Sequence, residues 1–243
     1  MPTLPVTPVE LATALALTVV GAVLQGSIGF GLAVVAAPIL LLVNPVFVPG
    51  PMLLAAMLLV ILIALRERRD VIVGDIAIGV IGRAIGTLPA AYAIATLPRN
   101  VYELLFAALV TLAVVLSMAG WRIRRTPATI GLAAILSGFA GTVSSIGGPP
   151  LALIYQHENG ARLRGTLSAI FTLGTLISMI GLWWAGRFGM VELALGLLLL
   201  PGVVIGFTLS NYTARRLDPA QTRPAVLAIS ALSAALIAVR ALG

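Results

Sequence analysis

Long apolar runs alternate with short polar breaks along this chain. The runs fall at about 10–27, 32–43, 49–65, 71–96 and 101–120 and, past a polar stretch, at about 128–143, 147–157, 165–184, 190–212 and 222–242. They are weakly amphipathic and rich in Ala, Leu, Val and Gly, whereas barrel strands would alternate in short segments and a soluble helix would carry a polar face. The pattern predicts ten helical segments and an all-α integral membrane protein. Two runs are too short to cross. Residues 32–43 and 147–157 give only about 16–18 Å of helix, against a hydrocarbon core of about 30 Å.

Each short run follows a break. Ser27-Ile28-Gly29, continued by Phe30-Gly31, and Ser145-Ile146-Gly147, continued by Gly148-Pro149-Pro150, lie 118 residues apart. Two further matches follow at offsets of 117 and 120, one register with a few small insertions: Asp75-Ile-Ala-Ile-Gly79 with Glu192-Leu-Ala-Leu-Gly196, and Ile85-Gly86 with Ile205-Gly206. The chain therefore reads as an internal duplication, with a first transmembrane repeat over 1–120, a linker over 121–127 (Trp121-Arg-Ile-Arg-Arg-Thr-Pro127) and a second repeat over 128–243. Each repeat is predicted to hold a broken or re-entrant helical hairpin and three transmembrane helices. Counting the long first helix of each half, about eight segments are full spans. An odd number of crossings per half turns the second half upside down.

Arginine placement tests this. With inverted halves, one side receives Arg66, Arg68, Arg69, Arg122, Arg124, Arg125, Arg162, Arg164, Arg215, Arg216 and Arg223, and the other only Arg99, Arg187 and Arg240. Four simple spans per half would divide the same residues almost evenly. The positive-inside rule thus favours inverted halves, a cytoplasmic linker and both termini outside the cytoplasm, with Trp121, Trp183 and Trp184 at segment ends as interfacial anchors.

Composition agrees: 60% of the residues are hydrophobic, 9% are charged and the mean hydropathy is +1.13. The net charge of +7 comes from arginines in short interhelical segments, which marks orientation and gives no stripe for nucleic acid. There is no cysteine, so disulfides, thiolate metal sites and cysteine nucleophiles are excluded. Residues 1–10 lack the basic start of a cleaved signal peptide, so the first span is expected to stay.

Candidate chemistry gathers at the breaks. Backbone freed by Gly and Pro is tolerated at membrane depth only where protein or a polar cavity satisfies it. A helix start offers unpaired N–H groups and partial positive charge, which suits a compact anion. Gln25, Gly26, Ser27, Gly29 and Gly31 surround the first break; Gly141, Thr142, Ser144, Ser145, Gly147 and Gly148 surround the second. The alternative reading is close helix packing through small residues. Arg83 is the one charge near the middle of a span, with no acid at its depth, and would orient an oxyanion; its structural alternative is a bond to carbonyls at a neighbouring break. Asp75, Glu192 and Glu103 lie near helix starts and read as caps, His157 as a solvated loop residue, and Tyr155 and Gln156 as weaker cavity candidates. No metalloprotease, nucleophile-elbow or phosphate-loop motif is present, so neither an enzyme nor a metal or cofactor is expected.

At Gly26-Ser-Ile-Gly-Phe-Gly31 with Ala37-Pro38, and at Gly138-Phe-Ala-Gly-Thr-Val-Ser-Ser-Ile-Gly-Gly-Pro-Pro150, the chain resembles the sulfite exporter TauE/SafE family, also described as the toluene-sulfonate uptake permease type. The resemblance covers nearly the whole chain. It implies a multi-pass carrier of the bacterial inner membrane that moves small sulfur-containing or organic anions such as sulfite or sulfonates. The expected partners are that anion and the lipid bilayer, and a homodimer is compatible with the sequence. Joined to the residue reading, it makes Gln25, Ser27, Gly29, Gly31, Arg83, Ser144, Ser145, Gly147 and Gly148 the expected substrate-binding set. An anion channel of the same fold and a non-transporting assembly subunit are the competing readings.

Overall fold

The computed structural model describes residues 5–118, 121, 123–213 and 219–242, the last stretch to side-chain level from Leu227. Arg122, Arg215 and Arg216 lie outside the described residues, as does the side chain of Arg223. Ten α-helices coincide with the ten apolar runs: α1 (Pro8–Ile28), α2 (Leu32–Val43), α3 (Gly50–Arg66), α4 (Val73–Thr96), α5 (Arg99–Met118), α6 (Pro127–Ser144), α7 (Gly148–Tyr155), α8 (Gly160–Trp184), α9 (Met190–Thr213) and α10 (Pro219–Leu242). A short 3-10 turn (Pro45–Phe47) joins α2 to α3. Among the described residues six helices are long and apolar enough to cross a membrane: α1, α4, α5, α6, α8 and α9. With α3 at 17 residues and α10 at 24 they make eight long helices, against 12 residues in α2 and 8 in α7.

The first helix of each half begins in the same way. Thr7 and Thr126 are N-caps in capping boxes, each followed by proline in the first turn, where its missing N–H costs nothing. Both helices also stop in the left-handed conformation, but at different points of the repeated tripeptide. Gly29, at φ 98°, ends α1, and its N–H donates to Gln25 O at 2.8 Å. Ser145, at φ 64°, ends α6, a conformation that costs a non-glycine residue roughly 1 kcal/mol.

After each stop the chain doubles back. α2 starts level with Gly21 and runs antiparallel to α1, bringing Asn44 to the start of α1, where its Nδ2 donates to Pro5 O at 3.1 Å. The side chain of Gln25 accepts the Leu32 N–H at 3.1 Å and caps α2.

The helix contacts come in matched pairs. α4 packs on α6 as α9 packs on α1, and α3 meets α9 as α8 meets α4; α3 and α8 meet each other, while α10 lies against α2 and α5. Small residues at the same register make the first two contacts close. A Cβ on Gly86 would overlap the Ile135 carbonyl of α6, and one on Gly206 would lie 2.5 Å from the Val19 carbonyl of α1. Substitution of Gly86 by Ala is accordingly expected to cost at least ~1–3 kcal/mol, because rigid backbone has to move. Gly74→Ala, with nothing within 4 Å of the new methyl, is the neutral control, and thermal unfolding in detergent compares the two.

The two ends of the bundle differ in charge. Arg66, Arg68, Arg69, Arg124, Arg125, Arg162 and Arg164 belong to the end formed by the α3–α4, α5–α6 and α7–α8 connections, and Arg99, Arg187 and Arg240 to the other. These are called the arginine-rich and arginine-poor ends below.

Candidate functional site

α4 carries Arg83 near its middle, and the side chain is 2% exposed. Its slot is made by missing side chains. A Cβ on Gly174 would overlap Arg83 Nε, and one on Gly141 or Gly147 would come within 3.4 Å of the guanidinium, while Gly138 lets α6 approach the Arg83 backbone. Nη1 donates to Ser137 Oγ at 2.7 Å and to Ser137 O at 3.3 Å, and Cζ lies 4.9 Å from the Phe171 ring centroid, a cation–π distance. Ser137 Oγ in turn donates to Gly147 O at 2.6 Å, which ties the cation's support to the second break.

A hydroxyl cluster one turn along stiffens this wall. Thr142 Oγ1 lies 3.1 Å from Thr87 Oγ1 and donates to Ser178 Oγ at 2.8 Å, joining α4, α6 and α8.

Nε of Arg83 is buried without a hydrogen-bond partner, and no acidic side chain among the described residues pairs with this cation. Taking a guanidinium out of water is costly, and an uncompensated one in a membrane protein marks a functional position by default. The cation faces a cavity of about 40 Å³ onto which both breaks converge. Gln25 and Phe30-Gly31 come from the first break and Ser145 through Gly148 from the second, while α3 with Leu53, Ala56 and Val60 and α8 with Phe171 and Thr175 add to the wall. The breaks touch: a Cβ on Gly148 would lie 3.0 Å from Phe30 Cβ. A water needs roughly 10–15 Å³ measured this way, so the space suits a few waters or one compact polyatomic ion.

Donors around the cavity are unequal. The first N–H groups of α2 have no intrahelical acceptor; Gln25 takes that of Leu32, leaving those of Ala33 and Val34, both wall residues. At α7, Pro149 and Pro150 have no N–H, so the amide donors expected there reduce to Gly147 and Gly148.

Of the residues expected to bind substrate, Gln25, Gly31, Arg83, Ser145, Gly147 and Gly148 are thus brought together, and three are not. Ser27 and Gly29 sit beyond the turn: Ser27 Oγ donates to Val23 O at 2.7 Å and lies 3.0 Å from Thr213 Oγ1, and Gly29 packs against Leu163. Ser144 Oγ donates to Ala140 O at 2.8 Å and accepts the Ile146 N–H, closing the end of its own helix. Ser145 lines the cavity with its hydroxyl proton already given to Pro49 O at 3.1 Å. Ser137, Phe171, Gly174 and Thr175 were missed, since nothing local distinguishes them from ordinary helix-packing residues. By the register of Gly86 and Gly206 the second-half position that matches Arg83 is Val203, which is fully buried.

The remaining polar candidates lie elsewhere. Tyr155 and Gln156 do not reach the cavity: the Tyr155 hydroxyl donates to Asp75 Oδ2 at 2.8 Å, and Gln156 Nε2 donates to the Trp121 carbonyl. Asp75 also accepts from Arg125 Nη1 at 2.8 Å, a bond that holds the guanidinium above its ordinary pKa. Glu192 Oε2 accepts the Gly189 N–H at 2.8 Å, as a cap does. Glu103 pairs with Arg99, and His157 is exposed.

A search of curated proteins and one of solved structures return no match. The family model described as sulfite exporter TauE/SafE matches residues 13–237, and the chain, with its all-helical membrane fold and paired helix breaks, belongs to that exporter-type transporter family.

Proposed function

We propose that this protein is a secondary transporter of small sulfur-containing oxyanions of the sulfite type, working by alternating access with the anion held in the Arg83 cavity. The observation that carries the reading is the convergence of both helix breaks on one small cavity whose buried guanidinium has no acid to neutralise it among the described residues. An entering oxyanion would supply the missing negative charge, taking hydrogen bonds from Arg83 and from the amides of Ala33, Val34, Gly147 and Gly148. The glycines at 31, 147 and 148 let it approach the backbone closely.

Residues 1–120 and 128–243 act in this reading as inverted halves joined by the 121–127 linker. The matched contacts of α4 with α6 and α9 with α1 support that arrangement. The arginine-rich end faces the cytoplasm of a bacterial cell, as the positive-inside rule directs. Rocking of one half against the other then exposes the cavity to each side in turn.

The test is flux of labelled sulfite in proteoliposomes reconstituted with the full chain. Saturation and counterflow, in which excess unlabelled sulfite on one side drives labelled sulfite to accumulate against its own gradient, are the expected results. Linear, non-saturating flux without counterflow would identify a pore, and no flux of any small oxyanion would point to an assembly role.

A further inference from the structure

The two broken helices carry the same tripeptide, yet their ends are held by different chemistry. At the arginine-rich end, the last carbonyls of α1 have no intrahelical partner. Two guanidiniums cover them: Arg66 Nη2 donates to Gly26 O at 2.6 Å, and Arg164 Nη1 to Ser27 O at 3.3 Å. Arg66 ends α3 and Arg164 belongs to α8, so the turn is clamped from both halves of the chain. One carboxylate oxygen holds the two cations together. Glu67 Oε1 accepts from Arg66 Nε at 3.1 Å and from Arg164 Nε and Nη2 at 3.0 and 2.9 Å. Arg66 extends the clamp to α9, donating to Asn211 Oδ1 at 2.8 Å and lying 5.2 Å from the Phe207 ring centroid. Both cations sit at the negative end of the α1 dipole, which favours their positive charge there and strengthens their bonds to the Gly26 and Ser27 carbonyls.

At the arginine-poor end the closure is neutral and thin. The Tyr102 hydroxyl donates to Val143 O at 2.9 Å, and Ser145 Oγ donates to Pro49 O. Tyr102 and Pro49 also line a second cavity of about 410 Å³, bounded further by Gly50, Leu97 and Arg187. On this side, then, the Ser145–Pro49 contact stands between the central cavity and a wide vestibule.

We infer that Arg66, Glu67 and Arg164 form the gate that shuts the central cavity toward the arginine-rich end, and that the conformation described is the one loaded through the vestibule at the arginine-poor end. The inference rests on the transport reading above. Opening the other way requires the α1–α2 turn, together with the end of α3 that Arg66 ties to it, to part from α8, which breaks the Arg164 bonds to Ser27 and Glu67 together. Loss of either acid or base should therefore loosen this end without touching the anion cavity.

The chain has no cysteine, so a single engineered one reports access without background. Val60 lines the central cavity and lies about 9 Å along α3 from Arg66. V60C is exposed to a membrane-impermeant anionic thiosulfonate in vesicles of both orientations. His157→Cys and Asn100→Cys, exposed at the arginine-rich and arginine-poor ends, identify the faces. Labelling of V60C is expected to be about 10-fold faster from the arginine-poor face, and E67Q should raise the rate from the arginine-rich face by about the same factor, the size of effect that loss of a charge-assisted bond gives. R164Q should do likewise, and it decides if E67Q fails to insert; the face ratio of V60C alone decides if neither inserts. Equal labelling from both faces of V60C, or a rate from the arginine-rich face that neither variant raises, overturns the gate. Protection of V60C by sulfate or methanesulfonate, oxyanions that, unlike sulfite, attack neither the thiosulfonate nor the mixed disulfide it forms, separates the two ideas. Asymmetric labelling without protection keeps the gate and rejects the anion site, and protection with symmetric labelling does the reverse.

Discussion

Arg83→Met is expected to leave the protein folded and at least as heat-stable as the wild type, while sulfite binding falls by about 100-fold or more and flux disappears. The two halves of that expectation have separate causes. An unpaired guanidinium in a dry interior carries a desolvation cost that an apolar side chain of similar length avoids, and exchanges of buried charge for hydrophobic groups are neutral or stabilising by about 1–4 kcal/mol. Ser137 Oγ keeps its bond to Gly147 O after the exchange, so no buried hydroxyl is orphaned. Binding behaves oppositely, because removing a buried charged donor costs an anionic ligand on the order of 2–5 kcal/mol. Thermal unfolding and calorimetric titration with sulfite on the same preparation measure both. A strongly destabilised R83M that still binds would show that Arg83 is a structural strut. Arg83→Lys should rescue only partly, since a compact ammonium cannot hold Ser137 and cover the Phe171 face at once.

Gly174→Ala should impair binding almost as much while leaving the cation in the chain. The added methyl would overlap Arg83 Nε and come 2.5 Å from Cδ. The guanidinium is held on its α6 side by the Nη1 bonds to Ser137, so the displaced cation is pushed into the cavity that the anion would occupy. We expect sulfite affinity to drop by about 10–100-fold, with about 1–3 kcal/mol of stability lost to overpacking. Gly181→Ala, on the same helix, would press only on the Thr87 methyl at 2.8 Å. It should lose similar stability with unchanged affinity; equal affinity loss in the two would assign the effect to helix packing in general.

The organisation of the helices was legible in the sequence because hydropathy, capping and breaking are local properties. All ten apolar runs became helices, both Ser-Ile-Gly breaks ended a helix, and Arg83 lay at mid-helix where its span placed it. Which side chains of a break face the cavity was not legible. Consecutive helical residues point about 100° apart, and the left-handed stop falls on the third residue of one tripeptide and the first of the other. That difference leaves Ser27 and Gly29 beyond the first turn, while Ser145, Gly147 and Gly148 line the cavity. The loss of two amide donors at Pro149 and Pro150 was written in the chain, since proline has no N–H in any context.

The covalent order of apolar, glycine and proline positions by itself determined a helical membrane protein with two interrupted helices, because each of those effects acts within a few residues. Three things belonged to the tertiary structure alone: the meeting of the interruptions, the glycine slot that holds Arg83, and the Arg66–Glu67–Arg164 clamp. Each requires atoms from helices far apart in sequence to come within a few ångströms, and only the packing of α1–α2 and α6–α7 against α3, α4 and α8 sets those distances.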